Sequence, residues 1–256
     1  MGILNITPDS FYENSRVQGE KELLGACEKM LNEGAAIIDI GGYSSRPGAD
    51  FVSEEEEALR VLKSIKLLCH HFKEIILSVD TFRSTIAKQA IAEGAAIIND
   101  ISAGEDDPFM MEAIADLQVP YIMMHKRGNP KTMNSLSQYD NISLEVLDYF
   151  IGKINMANSL HIHDIIIDPG FGFAKTTGQN YNLLNALEIF GMLQKPIMAG
   201  ISRKKMIQNI IEAPAGDALN GTSAANTIAL IKGAKILRVH DVKEAIECIK
   251  IVNSLN

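Results

Sequence analysis

Short apolar runs alternate with longer amphipathic segments along the whole chain, and this pattern predicts strands and helices in turn. Runs such as residues 165–167 (III) contain no polar alternation, which is typical of a strand buried on both faces. The amphipathic segments repeat apolar residues at helical spacing, and glycines and prolines separate the two kinds of segment. The chain is therefore predicted to be an α/β protein with a parallel sheet.

We predict eight strands, at residues 2–7, 36–40, 74–80, 96–100, 121–125, 165–167, 196–201 and 235–239. The predicted helices include residues 19–32, 83–93, 108–117, 179–190 and 220–232, and another begins at residues 202–204. Ser53 and Glu56 have the spacing of a capping box, opening a helix in which Leu59, Leu62 and Ile65 share a face. Asp241 is placed to cap the last helix.

Eight strand-then-helix units match a (β/α)8 TIM barrel, formed as a single domain by residues 1–256. The structural alternative is a doubly wound open sheet, which needs fewer strands and a reversal of strand order. Polar residues stand at or near the carboxyl end of every predicted strand: Asn5, Asp39, Asp80, Asn99, His125, Asp168, Ser202 and His240. One such residue alone is better explained as a cap or a satisfied core group. Eight convergent positions favour a functional site at the mouth of a barrel.

Positive charge is concentrated after the last two predicted strands. Ser202 and Lys204 follow the seventh strand, and Arg238 and His240 end the eighth, where such barrels commonly bind phosphate. Arg203 and Lys205 are better explained as surface charge. Cationic groups around one mouth of an acidic protein predict a polyanionic substrate.

Composition excludes several classes of protein. The net charge of −8 and pI near 5.3 argue against a general nucleic-acid or anionic-membrane surface. The apolar runs are far too short for a membrane span. Three scattered cysteines without a C-x-x-C motif are typical of reduced thiols, so we expect a cytoplasmic protein. Residues 170–175 (GFGFAK) match neither a dinucleotide fingerprint nor a P-loop.

Eight segments, in order over essentially the whole chain, resemble those of the dihydropteroate synthase family of pterin-binding enzymes. They are residues 1–11 (MGILNITPDSF), 39–48 (DIGGYSSRPG), 78–81 (SVDT), 98–101 (INDI), 124–133 (MHKRGNPKTM), 168–173 (DPGFGF), 200–204 (GISRK) and 238–241 (RVHD). The resemblance implies a (β/α)8 barrel that joins 6-hydroxymethyl-7,8-dihydropterin diphosphate to 4-aminobenzoate and releases diphosphate. It also implies a homodimer, and sulfonamide competition at the aminobenzoate slot.

Residue roles follow from the same resemblance. The pterin site is expected to contain Asp80, Asn99, Asp168 and Lys204. Asn5 would ligate Mg²⁺ bridging to the diphosphate, whose oxygens Arg46, Arg238 and His240 would hold. The aminobenzoate site would contain Pro47, Phe173 and Ser202. Further substrate-binding residues are expected to be Ser45, Met124 and Gly200. The catalytic residues are expected to be Asp80, Lys204, Arg238 and His240.

The chain departs from the family pattern at a few places. Tyr43 stands where glutamate is common, and the chain begins within the first strand, where the family usually has a short preceding segment. We therefore expect either a missing segment or an open barrel floor. Two other functions remain: a pterin-binding methyltransferase acting with methyltetrahydrofolate and a corrinoid protein, and a non-catalytic pterin-binding relative. The predicted diphosphate grip argues against the methyltransferase.

Overall fold

The computed structural model describes residues 1–6, 16–43, 52–128 and 132–255. Within these ranges the chain forms eight β-strands: β1 (Gly2–Asn5), β2 (Ile38–Gly41), β3 (Leu77–Asp80), β4 (Ile97–Asp100), β5 (Tyr121–Met124), β6 (Ile165–Asp168), β7 (Met198–Ala199) and β8 (Ile236–Leu237). The α-helices of these ranges are α1 (Arg16–Asn32), α2 (Glu54–His71), α3 (Ser84–Ala92), α4 (Met110–Leu117), α5 (Ile142–Ser159), α6 (Thr177–Asn185), α7 (Lys205–Ile211), α8 (Leu219–Ile231) and α9 (Val242–Asn253).

The strands close into a parallel barrel. Strands β1 to β6 form one sheet in chain order, and β7 pairs with β8. Single parallel bridges between Gly2 and Val239 and between Ile167 and Ile197 join the two pieces on both sides. Strand order nowhere reverses, so the doubly wound alternative is excluded and the predicted (β/α)8 barrel is confirmed.

Apolar side chains fill two separate regions. The larger cluster lies between the strands and the surrounding helices, as in other barrels of this class. A smaller cluster of Ile97, Ile122 and Met198 lies inside the barrel, with Ile166 and Ile236 packed against it. The interior is therefore a packed core below the mouth. No helix in the described ranges combines the length and apolarity that a membrane crossing requires.

Helix α2 departs from its sequence-based description. Ser53 caps it as predicted, because its hydroxyl accepts a hydrogen bond from the Glu56 amide at 3.2 Å. The second hydrogen bond of a capping box would run from the Ser53 amide to the Glu56 carboxylate. That carboxylate pairs with Arg60 one turn later instead. The prediction for Leu59 was wrong: its side chain is 71% exposed, while Ile65 is fully buried.

Three other helix boundaries differ from prediction. The helix predicted at residues 179–190 is α6 followed by a separate 3-10 helix (Leu187–Leu193), and a Thr176–Gln179 capping box opens α6. Helix α7 begins at Lys205, after residues 202–204 have formed a turn. Asp241 precedes α9 but makes no capping bond, because its carboxylate binds Arg203.

Candidate active site

The inward-facing residues at the strand carboxyl ends meet at one mouth. The strand registers place Asn5 beside Gly41, Gly41 beside Asp80, and Asp80 beside Asn99. Met124 is likewise paired with Asp168 on the other side of the sheet. The predicted convergence of polar side chains at this end is therefore a consequence of register.

Arg238 connects three strands beneath this mouth. Its Nε donates to Asp39 Oδ2 at 2.6 Å, and its second terminal nitrogen donates to Asp80 Oδ2 at 2.7 Å. Asp39 is completely buried and also accepts from Asn99 Nδ2 at 3.1 Å. Its other oxygen, Oδ1, has no partner among the described residues. Asp39, which our site prediction omitted, is thus the centre of the network that orients Arg238 and Asn99.

Burial and charge oppose each other in this network. Burial raises the pKa of Asp80 and the neighbouring Asp39 carboxylate adds to this shift, so that the pKa is about 7 although the Arg238 guanidinium lowers it. Burial alone would lower the pKa of Arg238, but the two carboxylates outweigh it and raise that pKa. Two carboxylates share one guanidinium, so this side of the pocket carries excess negative charge.

Lys204 and Asp168 face each other across Gly200. The Lys204 Nζ donates to the Phe171 carbonyl at 2.5 Å and lies 4.9 Å from the centre of the Phe173 ring. Burial lowers the pKa of Lys204 to about 8, while Asp168 opposes the shift. A Cβ at Gly200 would lie 3.5 Å from Asp168 Oδ2 and 3.8 Å from Lys204 Nζ. Gly200 therefore keeps the space between the two charged groups open.

The turn after β6 fixes the Asp168 carboxylate. Its Oδ1 accepts from the Gly170 amide at 2.8 Å. Burial raises the pKa of Asp168, and the positive charge of Lys204 works against that shift. Gly170 has φ of 72°, and a Cβ there would lie 1.9 Å from the His125 carbonyl oxygen. Only glycine fits at this position.

Ser202 and His240 bind each other at the predicted phosphate end. The His240 amide donates to Ser202 Oγ at 3.2 Å, and Ser202 Oγ lies 3.0 Å from His240 Nδ1. Arg203 makes a bidentate pair with Asp241, at 2.8 and 2.9 Å, instead of remaining a surface charge as predicted. These two pairs join the turns that follow β7 and β8.

Three predicted site residues, Ser45, Arg46 and Pro47, lie outside the described residues. Tyr43 precedes them and packs edge-on against Phe82, with ring centres 5.5 Å apart. These two aromatic rings and Phe173 line a cavity of about 170 Å³ together with Ile101, Asp106, Lys126, Arg127, Gly128 and Met133. Phe173 lines this cavity and also contacts Lys204, so one ring borders both places.

Asn5 is the predicted metal ligand. A Cβ at Gly41 would lie 3.7 Å from Asn5 Oδ1 and 3.7 Å from Asp80 Cβ, so the Asn5 oxygen and Asp80 border the same space beside Gly41. No group of three or more His, Cys, Asp or Glu side chains in that part could hold a metal ion by itself. An Asn oxygen suits Mg²⁺, which usually takes one or two protein ligands together with substrate phosphates and water.

Comparison with known proteins gives a consistent result. A family model described as "Pterin binding enzyme" matches residues 1–240. Dihydropteroate synthase of Escherichia coli (strain K12) is 40% identical over 256 residues, covering 99% of this chain and 90% of that protein. The solved Yersinia pestis dihydropteroate synthase with a sulfonamide drug complex has a TM-score of 0.92 and 37% identity, covering 100% of this chain and 92% of that one.

A second solved structure, Xanthomonas albilineans dihydropteroate synthase with 4-aminobenzoic acid, has a TM-score of 0.92 and 36% identity, with the same coverage. The chain therefore belongs to the family of pterin-binding enzymes, and its barrel is the fold of solved members. Within the family, the chain is similar to the dihydropteroate synthases of Escherichia coli and Haemophilus influenzae, each 40% identical over at least 98% of this chain, and these enzymes are transferases. The resemblance first drawn from eight sequence segments is confirmed.

Proposed function

We propose that this chain catalyses the dihydropteroate synthase reaction, condensing 6-hydroxymethyl-7,8-dihydropterin diphosphate with 4-aminobenzoate. The observation that carries the proposal is the position of Arg238, which joins the pterin-side carboxylate Asp80 to the phosphate end of the mouth. Solved relatives support it: the Xanthomonas albilineans enzyme has structures with 4-aminobenzoic acid and with 7,8-dihydropteroate.

The pterin ring would bind between Asp168, Asn99 and Lys204, where acceptors and donors face the same space. Asp168 keeps its Oδ2 for the ligand, since its recorded hydrogen bond, from Gly170, is to Oδ1. The open space at Gly200 and the buried side chain of Met124 would complete the apolar surface around the ring. A heterocycle that left these buried polar groups unpaired would be rejected, because each unpaired group costs about 1–3 kcal/mol.

The chemistry we propose is a largely dissociative substitution. Breaking the carbon–oxygen bond to diphosphate develops positive charge on the pterin methyl carbon, and the amine of 4-aminobenzoate then bonds to that carbon and loses a proton. The excess negative charge of Asp39 and Asp80 beside Arg238 would stabilise this cation in a pocket of low dielectric. The carboxylates are already held by hydrogen bonds, so little reorganisation is needed.

The diphosphate would bind on the opposite side of Arg238. The Nη1 nitrogen of Arg238 has no hydrogen bond within the described part of the chain, so its two N–H groups remain for phosphate oxygens. Ser202 can donate to His240 Nδ1 only if that nitrogen is unprotonated, which places the proton on Nε2 of a neutral ring. Arg46 remains a predicted second cation beside Arg238. Ser202 then acts on the diphosphate through His240, and its role toward aminobenzoate stays a prediction.

Asn5 fits a Mg²⁺ ion that would be shared with the diphosphate. When bound, the ion would neutralise charge on the leaving group. Asn5 would hold it through Oδ1, the oxygen that stands at the mouth near Asp80. Asp39 and Asp80 are poorer candidates, because both already bind Arg238.

A homodimer is also part of the proposal. Ile210, Ile228 and Ile231 are 62%, 43% and 59% exposed on the contacting helices α7 and α8. We infer that these side chains lie on the surface that a second copy of the chain covers. Sedimentation equilibrium tests this directly, and a monomer at micromolar concentration would contradict it.

The test of the function is to mix both substrates with Mg²⁺ and follow diphosphate. We expect release that requires 4-aminobenzoate and yields one dihydropteroate for each diphosphate. Pterin binding without release is the result expected of a non-catalytic relative. Methyl transfer from methyltetrahydrofolate to a corrinoid protein, without diphosphate chemistry, would identify the methyltransferase instead.

A further inference from the structure

Lys175 ends the turn after β6, and its ammonium has three close acceptors and a fourth, the His125 carbonyl oxygen, at 3.5 Å. The Nζ atom lies 2.9 Å from the Gly170 carbonyl oxygen, 3.0 Å from the Phe173 carbonyl oxygen and 2.9 Å from His125 Nδ1. The three N–H groups of an ammonium match these three acceptors. Lys175 therefore links Gly170 and Phe173 of its own turn to His125, which follows the neighbouring strand β5.

His125 is suited to accept this bond. Burial, together with the charges of Lys175 and Arg127, lowers the pKa of His125 to about 2, so the ring is neutral at physiological pH. A neutral ring with its proton on Nε2 leaves Nδ1 as an acceptor. The ring is held in place by edge-on contact with Tyr149, with centres 4.9 Å apart.

The shape of the turn depends on these anchors. Gly170, Gly172 and Ala174 have φ values of 72°, 84° and 50°, so every second residue is in the left-handed region. For Ala174 this conformation is unfavourable and needs compensation from surrounding contacts. Asn180 supplies a second anchor, since its Oδ1 accepts from the Gly172 amide at 2.7 Å.

The same turn contacts Lys204 on its other side. The Phe171 carbonyl accepts from Lys204, and the Phe173 ring lies beneath the Lys204 ammonium. A Cβ at Gly172 would lie 3.2 Å from Lys204 Cδ, so the turn and the Lys204 side chain are in close contact. Any shift of the turn therefore moves the surface on which Lys204 rests.

We propose that Lys175 is a positioning residue for this reaction: it fixes the turn that presents the Phe171 carbonyl and the Phe173 ring, and through them it orients Lys204 towards the pterin. This inference rests on the proposed function and deepens it. Small displacements of such supporting groups are costly for binding and catalysis. The hydrogen bonds of Arg238 go to Asp39 and Asp80, on the other side of the mouth from this turn, so we expect diphosphate binding to depend on Lys175 much less than pterin binding does.

The test compares Lys175→Met with Lys195→Met in the full-length chain. Lys195 is the matched control, because it also donates to a backbone carbonyl, that of His163, but before the amino end of β6. Calorimetry at pH 6.5 measures the binding of 6-hydroxymethyl-7,8-dihydropterin without its diphosphate and, in a separate titration, the binding of magnesium diphosphate. At that pH Lys175 is mostly protonated, since burial lowers its pKa to about 7.

We expect Lys175→Met to weaken pterin binding by about tenfold or more, which is about 1.4 kcal/mol. Magnesium diphosphate should bind within about twofold of wild type in the same variant. Hydrogen exchange should accelerate in residues 169–176 and remain unchanged in α5. Lys195→Met should match wild type in all three measurements.

An equal loss of affinity for both ligands, or faster hydrogen exchange throughout the chain, would overturn the proposal. Lys175 would then contribute to global stability alone. Unchanged pterin affinity would overturn it as well. If Lys175→Met does not fold, Lys175→Gln, which is polar and one atom shorter, carries the same comparison. Diphosphate release by the wild-type chain is followed in parallel. If the wild-type chain releases no diphosphate, the proposed reaction is wrong. The pterin affinities and the hydrogen-exchange rates would still test whether Lys175 positions Lys204.

Discussion

The inward-facing side chains in the middle of the barrel and those at its mouth lie on the same strands, two residues apart, yet they differ in kind. The middle layer is mostly apolar and the mouth layer mostly polar, as the pairs Ile97 and Asn99, Ile166 and Asp168, and Ile236 and Arg238 illustrate. Two residues correspond to roughly 7 Å along a strand. Within that distance the barrel changes from a packed core to a binding site.

Strand β2 has the opposite order, with a polar residue in the middle layer and a glycine at the mouth. This order explains how Arg238 is anchored. Asp39 occupies the middle layer and is completely buried, whereas Gly41 occupies the mouth. Asp39 lies below the mouth, and the Arg238 guanidinium binds it there. The one carboxylate placed below the mouth therefore anchors the cation at the mouth. The middle layer therefore serves packing and the mouth layer serves binding, and Asp39 is the residue that links them.

The largest expected effect is on stability in the middle layer. Ile122→Ala removes a completely buried side chain from the inner cluster. We expect the free energy of unfolding to fall by about 2–5 kcal/mol, from lost burial and the cavity that remains. Urea unfolding followed by circular dichroism measures it. A loss under about 1 kcal/mol would mean that the inner cluster contributes little, and the contrast between the layers would fail.

A smaller effect concerns His125, just beyond the mouth end of β5. Burial lowers its folded-state pKa to about 2 from an ordinary 6.5. As pH falls below 6.5 the unfolded chain takes up a proton that the folded chain does not, so stability must decrease. The expected loss is about 1.4 kcal/mol per pH unit, or about 2 kcal/mol between pH 6.5 and pH 5.

The His125→Gln variant isolates this contribution from that of the carboxylates. Glutamine does not titrate, so its free energy of unfolding should fall less steeply than that of wild type between pH 6.5 and pH 5. Parallel slopes for the two proteins would show that His125 is protonated in the folded state or that it does not control acid stability.

Local sequence patterns predicted the barrel because each strand and helix is encoded by nearby residues. The turn residues after β6 and the polar ends of the strands were predicted for the same reason. Leu59 was misplaced because apolar periodicity does not say which side of a helix meets the sheet, and the core side is that of Val61, Ile65 and Leu68. The end of α6 at Asn185 was missed because apolar residues continue into the following 3-10 helix.

The supporting residues of the site could not be predicted in this way. Asp39 and Arg238 are 199 residues apart, and Lys175 and His125 are 50 apart, so no local pattern pairs them. One indication of a role for Lys175 was present in the sequence, which is that a cation without an assigned function ends a glycine-rich turn. The roles expected for Ser45, Arg46 and Pro47 remain predictions, because these residues lie outside the described ranges.

The most direct test of the account is calorimetric titration of 6-hydroxymethyl-7,8-dihydropterin into wild type, Ile122→Ala and Asp168→Ala, at a temperature where all three are folded. We predict that Ile122→Ala binds like wild type and that Asp168→Ala shows no measurable binding. The lost charge-assisted hydrogen bond is worth about 1.5–3 kcal/mol, and ligand donors left unpaired add to it. Binding by Asp168→Ala within about threefold of wild type, under ~0.7 kcal/mol, would contradict the assignment of the mouth as the pterin site.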